Sequence, residues 1–451
     1  MGDYLKEDMG QNYILDMSRY REFTLDNGLE VVIYDSGEPL FSGKLVVNNG
    51  AIDENPGEEG VAHFLEHVIV REARIRGKEK GMPIGTVSNG GTSHHRIEYG
   101  VQGFSDQISV FLEAFGTTFT DPEFDRKICE EEGKVILRET AERLYSGKSV
   151  DSQIFQIIEG RNEPILLSGT EKEISRITPA ALKAYFSRTH ISNNMELYLV
   201  GNLPEDIEEQ ITRCFGGLTP GTPIKTKERV IEYLNIPYYS HIASPGLINP
   251  TNREESNANL MIAFPIQPEN SFDITVIQLM THLFDIAESE SPVYRQIREQ
   301  WGLTYSGSCN YSAADSIKED AGLFRIDINP HARYWQKCVK EVFSLIRDLQ
   351  DLEESQMNEG YLSIFKRNCL ASLISSVNSD KDPLNDGMLR LTQLYKKRGF
   401  SLSDEAEKIK AITPKDIKRV AQKYFPRDQN KDPNLIIAYD PHKTEIVIAR
   451  R

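Results

Sequence analysis

Gly60-Val61-Ala62-His63-Phe64-Leu65-Glu66-His67 is the stretch of this sequence on which its fold and chemistry depend most. Gly57 and Gly60 close the segment before it, and the pattern predicts a helix that begins at about Val61. Two histidines four residues apart lie one turn apart on the same face of a helix, so their imidazoles can converge on one ion. Glu66 lies beside them on that helix.

A hydrolytic zinc site needs three protein ligands, an open position for water and a nearby base. His63 and His67 offer two neutral nitrogen ligands, and Glu66 is placed to take the proton of the water. The third ligand must come from another element. Glu132 and Glu139 are seven residues apart in a later predicted helix, face the same way, and are both candidates. A surface helix with two solvated histidines is the alternative without such chemistry.

Strands and helices mix around this motif without regular alternation. An Asp-Asn-Gly turn joins two predicted strands between Phe23 and Tyr34, a third strand is predicted at Gly43 to Val47, and Ser88 to Val101 is predicted to be extended. Two long helical patterns follow, from about Gln107 to Phe119 and from about Pro122 to Tyr145. This order favours an α+β fold, with a mostly antiparallel sheet packed against helices.

One segment occurs twice, as Ile177-Thr178-Pro179 and as Ile412-Thr413-Pro414. Each copy begins a predicted helix that ends in Tyr-Phe and is followed by an apolar predicted strand. Because the copies are about half the chain apart, they indicate two similar α+β domains and not a solenoid, whose repeats are about 20 to 50 residues long.

The linker between these domains is predicted from Gly216 to about Pro245, where Gly, Pro, Lys and Thr cluster. We place the boundary near residue 230. The resulting prediction is an N-terminal extension at residues 1–20, a first domain at 21–230 that carries the histidine motif, and a second domain at 231–451.

Composition narrows the classes of function. The 451 residues carry a formal net charge of −16, which disfavours nucleic acid and anionic membranes as partners. No stretch reaches the ~18 to 20 apolar residues of a membrane span, and the first 20 residues do not resemble a secretory signal, so we predict a cytoplasmic protein. The five cysteines are scattered without a C-x-x-C pair, which argues against a disulfide framework and a cysteine zinc site.

The run from Asn49 to Glu54, followed by the histidine motif, resembles the G-s-x-x-E…G-x-A-H-x-L-E-H pattern of the pitrilysin, insulin-degrading enzyme and mitochondrial processing peptidase family. Its inverted H-x-x-E-H motif is the inverzincin signature. Glu132 and Glu139 match the downstream E-x6-E pair of that family, and Ile177-Thr178-Pro179 matches its I-T-x helix start. The likeness extends from about Phe23 to Tyr439 and suits the short-chain branch with two homologous domains.

The resemblance implies a zinc metalloendopeptidase that hydrolyses peptide bonds of short or unfolded polypeptides by a zinc-activated water. It implies one Zn²⁺ per chain, held by His63, His67 and Glu139. Glu66 would be the general base, and Glu132 a supporting carboxylate behind the ligands.

Two further segments resemble substrate-contacting parts of the family. Arg298 and Tyr305 match an Arg and a Tyr seven apart that would hold a peptide carbonyl and share charge on the tetrahedral intermediate. A salt-bridged arginine and a tyrosine at the edge of the core are the simpler alternative. The second segment contains Asn89, Gly90 and Gly91 and resembles an edge strand of the family, to which the substrate would add as an extra strand. A plain glycine-rich turn is the alternative for this segment.

The sequence departs from the family pattern in three places, which bear on the substrate pocket more than on metal chemistry. Where the family often has an F-x-G-T stretch after the second histidine, this chain has Val68 to Lys80. Where the edge strand of the family has a threonine, this chain has Ile97, and where the family has a glycine-rich segment, this chain has Glu288-Ser289-Glu290.

Other functions on the same fold give different expectations. A non-catalytic scaffold or peptide-binding subunit would usually lack part of the motif or the distant glutamate, and this chain keeps both. A structural or storage zinc protein would need a fourth ligand, which only one of His94 and His95 could supply because neighbours on a strand point to opposite faces. Long relatives enclose a chamber with four such domains, so this two-domain chain is expected to form a homodimer, or a heterodimer with a related subunit.

Overall fold

In its computed structural model, the chain forms two compact units. The first unit contains the described residues up to Glu142, those from Ile165 to Glu228 and those from Ile374 to Ser403, and the second contains the others. Residues 1–15 of the predicted extension (1–20), and residues 223–238 and 243–245 of the predicted linker (216 to about 245), lie outside the described residues. The structure describes residues 16–81, 87–145, 167–222, 239–242, 259–313, 322–331, 334–353, 355–377, 389, 392–396, 399, 401–427 and 435–439.

The first unit contains a six-stranded sheet in the order β1-β2-β6-β3-β5-β4. The strands are β1 Tyr20–Thr24, β2 Glu30–Asp35, β3 Leu40–Val47, β4 Val87–Thr92, β5 Ile97–Phe104 and β6 Met195–Gly201. All neighbours are antiparallel except β2 and β6, which run parallel. The predicted hairpin around the Asp-Asn-Gly turn is confirmed, because Thr24 pairs with Glu30.

The prediction of one extended stretch from Ser88 to Val101 is wrong. The chain turns between β4 and β5, and Thr92 pairs with Ile97. The Ser93 hydroxyl accepts hydrogen bonds from the backbone N–H groups of His95 and Arg96 at 3.3 and 3.1 Å and so closes the turn with a side chain. The Asn-Gly pair of this segment, Asn89-Gly90, lies within β4, and the turn itself has no such pair, so it gave no strong sequence signal.

Helices cover one face of this sheet. They are α1 Val61–Glu79, α2 Ile108–Thr120, α3 Arg126–Tyr145, α4 Glu171–Ile174, α5 Pro179–Thr189 and α6 Ile207–Phe215. A large core cluster joins sheet residues such as Leu45 and Leu197 to helix residues such as Leu65, Ile69 and Phe111, all at most 1% exposed. Strand residues that point to the other face, among them Val32 and Tyr198, form a second, smaller cluster. Residues alternate between the two faces along each strand, as the pleat requires.

The second unit contains a five-stranded sheet in the order β7-β11-β8-β10-β9. Its elements are β7 Tyr239–Ile242, β8 Asn259–Ile266, α7 Ser271–Phe284, a π-helical segment Tyr294–Gln300, β9 Thr304–Ala313, β10 Gly322–Pro330, α8 Trp335–Gln350, α9 Glu359–Val377, α10 Leu402–Ala411, α11 Pro414–Tyr424 and β11 Leu435–Tyr439. Again one pair, β7 with β11, is parallel and the others are antiparallel. The α+β prediction is therefore confirmed.

The repeated Ile-Thr-Pro segment begins a helix in both units. Thr178 accepts a hydrogen bond from Ala181 N, Thr413 accepts one from Asp416 N, and each threonine is followed by proline at the first helical position. The strand after each helix pairs parallel with one neighbour and antiparallel with the next. Within the described part of the chain, no helix is both long and apolar enough to cross a bilayer.

Candidate metal centre

Helix α1 begins directly before the histidine motif and is capped by a distant carboxylate. Gly60, its N-cap, has φ 87 and no side chain to accept a hydrogen bond. Glu54 supplies the acceptor instead, because its two carboxylate oxygens lie 3.0 Å from Gly60 N and 2.8 Å from Ala62 N. A carboxylate at a helix N-terminus satisfies free N–H groups and the helix dipole together. The start of the helix is thereby fixed next to His63.

His63 and His67 lie on one face of α1, as their spacing predicts. Their ring centroids are 4.7 Å apart with the planes at 73°. The side chain of His63 is 5% exposed and that of His67 16%. The two imidazoles are thus held close together in a site that excludes most of the solvent.

Helix α3 brings Glu139 to both imidazoles. Glu139 Oε2 lies 3.8 Å from Nε2 of His63 and 3.6 Å from Nε2 of His67. Ligand atoms about 2.0 to 2.2 Å from a tetrahedral zinc ion are about 3.4 Å apart. The two distances from Glu139 are thus within a few tenths of an ångström of the spacing that such an ion requires, and the chemistry of this donor set fits zinc.

Glu132, two turns earlier on α3, contacts the other side of His67. Its Oε2 lies 3.2 Å from Nδ1 of His67, and its Oε1 lies 3.9 Å from Nε of Arg71. Burial on its own would lower the pKa of His67, but the hydrogen bond that His67 donates to Glu132 and the nearby charges of Glu66 and Glu139 raise this pKa overall. The carboxylates therefore surround the histidines with a negative field that favours a cation.

Glu66 lies on the same helix and is 6% exposed. Its carboxylate lies against the backbone of Gly90 in β4, where a Cβ atom would be 2.0 Å from Glu66 Oε1. The ligand atoms of His63, Glu66 and His67 lie within 4.8 Å of one another, so Glu66 belongs to the same cluster of possible metal ligands. Glu66 therefore lies within reach of a metal held by the histidines, and its role as the base stays a prediction.

The segment from Val68 to Lys80, which departs from the family pattern, anchors α1. Glu72 accepts hydrogen bonds from Glu123 N at 3.1 Å and Phe124 N at 2.7 Å, and Arg76 donates to Thr117 O at 2.9 Å. These charged residues are 3% and 9% exposed. Sequence reasoning missed this role because their partners are backbone groups distant in the chain.

The predicted substrate strand is the edge strand β4, which among the described strands pairs only with β5. Asn89 and Gly91 are exposed, whereas Gly90 faces Glu66. His94 and His95, expected on a strand, lie in the turn after β4, so the argument from alternating strand faces was wrong for them.

Arg298 and Tyr305 lie in the second unit. Arg298 belongs to the π-helical segment, with its guanidinium 4.9 Å from the ring centroid of Tyr294, and Tyr305 is in β9 with its side chain outside the described part. Glu288, where the family has glycines, contacts Nδ1 of His282 and accepts a hydrogen bond from Asn368 at 2.8 Å. The substrate roles of Arg298 and Tyr305 stay predictions.

Two family models match this chain. The model described as insulinase, peptidase family M16, matches residues 31–151, which include the histidine motif and both candidate glutamates of α3. The model described as peptidase M16 inactive domain matches residues 176–360, where the motif does not recur. Together they match more than half of the chain.

Individual relatives agree. An uncharacterised zinc protease of Rickettsia bellii is 27% identical over 326 residues, which are 67% of this chain and 71% of that protein. The mitochondrial-processing peptidase subunit beta of Blastocladiella emersonii is 25% identical over 202 residues, 42% of either chain. A solved peptidase M16 inactive domain from Pseudomonas fluorescens superposes with a TM-score of 0.73 at 17% identity, over 93% of this chain and 97% of that one.

Proposed function

Since the chain belongs to peptidase family M16, with both its insulinase and its inactive-domain models matched, we propose that it is a zinc metalloendopeptidase. Its substrates would be short or unfolded polypeptides. One observation carries the proposal: a single oxygen of Glu139 lies 3.6 to 3.8 Å from Nε2 of both His63 and His67. Three such atoms on two helices form the open, three-ligand site of a catalytic zinc centre.

His63, His67 and Glu139 would hold one zinc ion per chain. When bound, the ion supplies Lewis acidity and lowers the pKa of water toward neutrality. Glu132 accepts the hydrogen of Nδ1 of His67, which leaves Nε2 with a lone pair for the metal. Three side chains would therefore bind the ion, and Glu132 would orient one of them.

Glu66 would move the protons. Its buried carboxylate accepts a proton from the water that attacks the scissile carbonyl and delivers it to the leaving amine. The edge of β4 that faces away from β5 would bind the peptide main chain as an added strand beside Glu66. Arg298 and Tyr305 would contact the substrate from the second unit.

Zinc content and peptide cleavage of matched variants test the proposal. Purified protein should hold one zinc per chain, and His63→Ala, His67→Ala or Glu139→Gln should each lose it, because three-ligand sites rarely tolerate the loss of a ligand. Glu130→Gln is the control on α3, since this 60% exposed side chain pairs only with Arg126 among the contacts described for it. Zinc retained in all three ligand variants would contradict the proposal.

Glu66→Gln separates the base from the ligands. This variant should keep zinc and lose most peptide hydrolysis, because an amide cannot accept the proton. Undiminished turnover would require a different base. A fluorescence-quenched unstructured peptide is the suitable substrate, with a chelated sample as the zero-activity reference.

A second candidate function is a non-catalytic scaffold or peptide-binding subunit of a heteromeric peptidase. The observation that favours it is the match to a protein named as a subunit. Zinc binding without turnover of any unstructured peptide, in the chain alone, would favour this alternative. The domain ranges 21–230 and 231–451, the dimer with its enclosed chamber and the cytoplasmic location also remain proposals.

A further inference from the structure

The outer edge of β4 offers main-chain groups at every second residue. Ser93 N donates a hydrogen bond to Arg96 O at 2.9 Å, so these two residues form a hydrogen-bonded pair where β4 turns into β5. Hydrogen-bonded and non-hydrogen-bonded pairs alternate along an antiparallel ladder, and in the register of this hairpin Gly90 and Ser88 belong to non-hydrogen-bonded pairs. The N–H and C=O groups of Gly90 and Ser88 therefore point away from β5, to the edge at which a substrate strand would pair.

Gly90 and Ser88 also share the face of the sheet that is turned towards α1, because residues two apart on a strand point the same way. A Cβ atom at Gly90 would point at Glu66 of α1, and the Ser88 hydroxyl accepts a hydrogen bond from Nε of Arg74 of α1 at 2.9 Å. Residues paired across neighbouring strands have their side chains on the same face. A substrate residue opposite Gly90 would therefore face Glu66, and the substrate residue two positions further along, opposite Ser88, would face Arg74.

Arg74 occupies the outward carbonyl of Ser88 and keeps donors to spare. Its guanidinium donates to the carbonyl oxygen and to the hydroxyl of Ser88, which uses two of the five N–H donors in its planar fork. Among the described residues, Arg74 contacts Ser88 and no carboxylate, although the chain carries a net charge of −16. The side chain is exposed. An arginine that only covers a strand edge is the simpler alternative, since sheets often protect their edges with charged side chains.

We propose that Arg74 is a specificity-determining residue that binds a carboxylate of the peptide substrate, two residues along the substrate from the residue that faces Glu66. A guanidinium fork matches a carboxylate in a bidentate contact. The carboxylate belongs to an aspartate or glutamate side chain, or to the chain terminus where the peptide ends at this position. The proposal rests on the proposed function insofar as it treats β4 as the substrate-binding edge. Arg74 lies in the segment from Val68 to Lys80, so this preference comes from a part of the chain that departs from the family pattern.

Cleavage of matched peptides tests the proposal. Fluorescence-quenched unstructured peptides carry glutamate at one position each, and kcat/KM is compared with that of the glutamine counterpart. At one position near the cleaved bond, glutamate should be favoured by the wild type about 5- to 10-fold, because a bidentate charged contact exceeds an ordinary exposed ion pair. Arg74→Gln should remove this preference, and Arg74→Glu should reverse it in favour of lysine at the same position. Lys78→Gln, which changes an exposed cation one turn later on α1, is the control and should keep the preference for glutamate.

Two further comparisons identify the source of the carboxylate and the nature of the contact. Peptides that end at the preferred position are made with a free carboxylate and with an amide. A preference that is confined to the free terminus and is lost in Arg74→Gln would support the proposal and identify the chain terminus as the source. Added salt should reduce the preference for glutamate, because the contact lies at the surface. The same preference in wild type and Arg74→Gln would overturn the proposal and leave Arg74 as a cover for the strand edge.

Peptide binding separates this inference from the proposed function. In a Glu66→Gln background, fluorescence anisotropy of the labelled peptides gives their dissociation constants without cleavage, and Arg74→Gln should again remove the preference for glutamate. Binding that shows this Arg74-dependent preference, with no cleavage of any peptide by the wild type, would support the inference and contradict the proposed peptidase. Cleavage by the wild type, with no effect of Arg74→Gln on the preference in either kcat/KM or binding, would overturn the inference and leave the proposed peptidase standing.

Discussion

Removal of the Glu132 carboxylate measures how much the histidine pair depends on its neighbours. Glu132 Oε2 lies 3.2 Å from Nδ1 of His67, and its side chain is 14% exposed, so the contact is shielded from water. Loss of an outer partner of a metal-binding histidine costs about 10- to 100-fold in metal affinity. That range corresponds to about 1.4 to 2.8 kcal/mol of binding free energy. We therefore expect Glu132→Ala to bind zinc about 10- to 100-fold more weakly, with one ion per chain at saturation.

The assay is competition for zinc between the metal-free protein and a chromophoric chelator at pH 7. Glu131→Ala is the control, because Glu131 directly precedes Glu132 on α3, is 47% exposed, and lies 3.7 Å from the same Arg71 that approaches Glu132. A surface pair of that kind contributes about 0 to 1 kcal/mol, so the control should stay within a few fold of wild type. Equal zinc affinities for the two variants would refute the reasoning, since they would show that the contact with His67 contributes nothing.

Three further outcomes are expected. Arg298→Ala and Tyr305→Phe should impair peptide cleavage without changing zinc content, and unchanged kinetics in both would refute their predicted contact with substrate. Sedimentation at working concentration should show a dimer that cleaves unfolded peptides and spares stable folded domains, whereas a fully active monomer would remove the argument for an enclosed chamber. Burial lowers the pKa of His190 to about 3, so the stability that this neutral side chain contributes is present above about pH 6.5 and is lost as the pH falls toward 3. Urea unfolding should show that the free energy of unfolding of His190→Gln falls less steeply with decreasing pH than that of the wild type, by up to about 1.4 kcal/mol per pH unit. Parallel profiles of unfolding free energy against pH for the two proteins would contradict this.

Local sequence signals predicted the elements of the fold that depend on local physics. The helix start at Val61 follows from two glycines and an apolar run, and the starts at Pro179 and Pro414 follow from a capping threonine before proline. The prediction that the two histidines share one face of the helix requires only the period of the α-helix. Each of these features is set by residues within one or two turns of the chain, which is why the sequence alone was sufficient for them.

Contacts between segments that are distant in the chain were harder to predict from the sequence. Glu139 and Glu132 could be placed on one face of a predicted helix, but their separate contacts with the histidines depend on how α3 packs against α1. The small size of Gly90 suggested close approach of a substrate backbone, whereas in the folded chain the approaching group is Glu66. The cap of α1 by Glu54 crosses an irregular loop, so no periodic pattern could reveal it.

A buried polar link between α1 and α3 explains how ligands on two helices keep their spacing. Glu72 is on α1, two turns after Glu66, and its carboxylate accepts the N–H of Phe124 at 2.7 Å in the loop that leads into α3. Phe124 has φ 53, the one positive value for a non-glycine residue among those described, and such a conformation persists only where its surroundings hold it. Glu72 supplies that constraint, because a buried carboxylate forms strong hydrogen bonds with backbone donors. The helix with the histidines therefore also fixes the point from which α3 starts, and with it the position of Glu139.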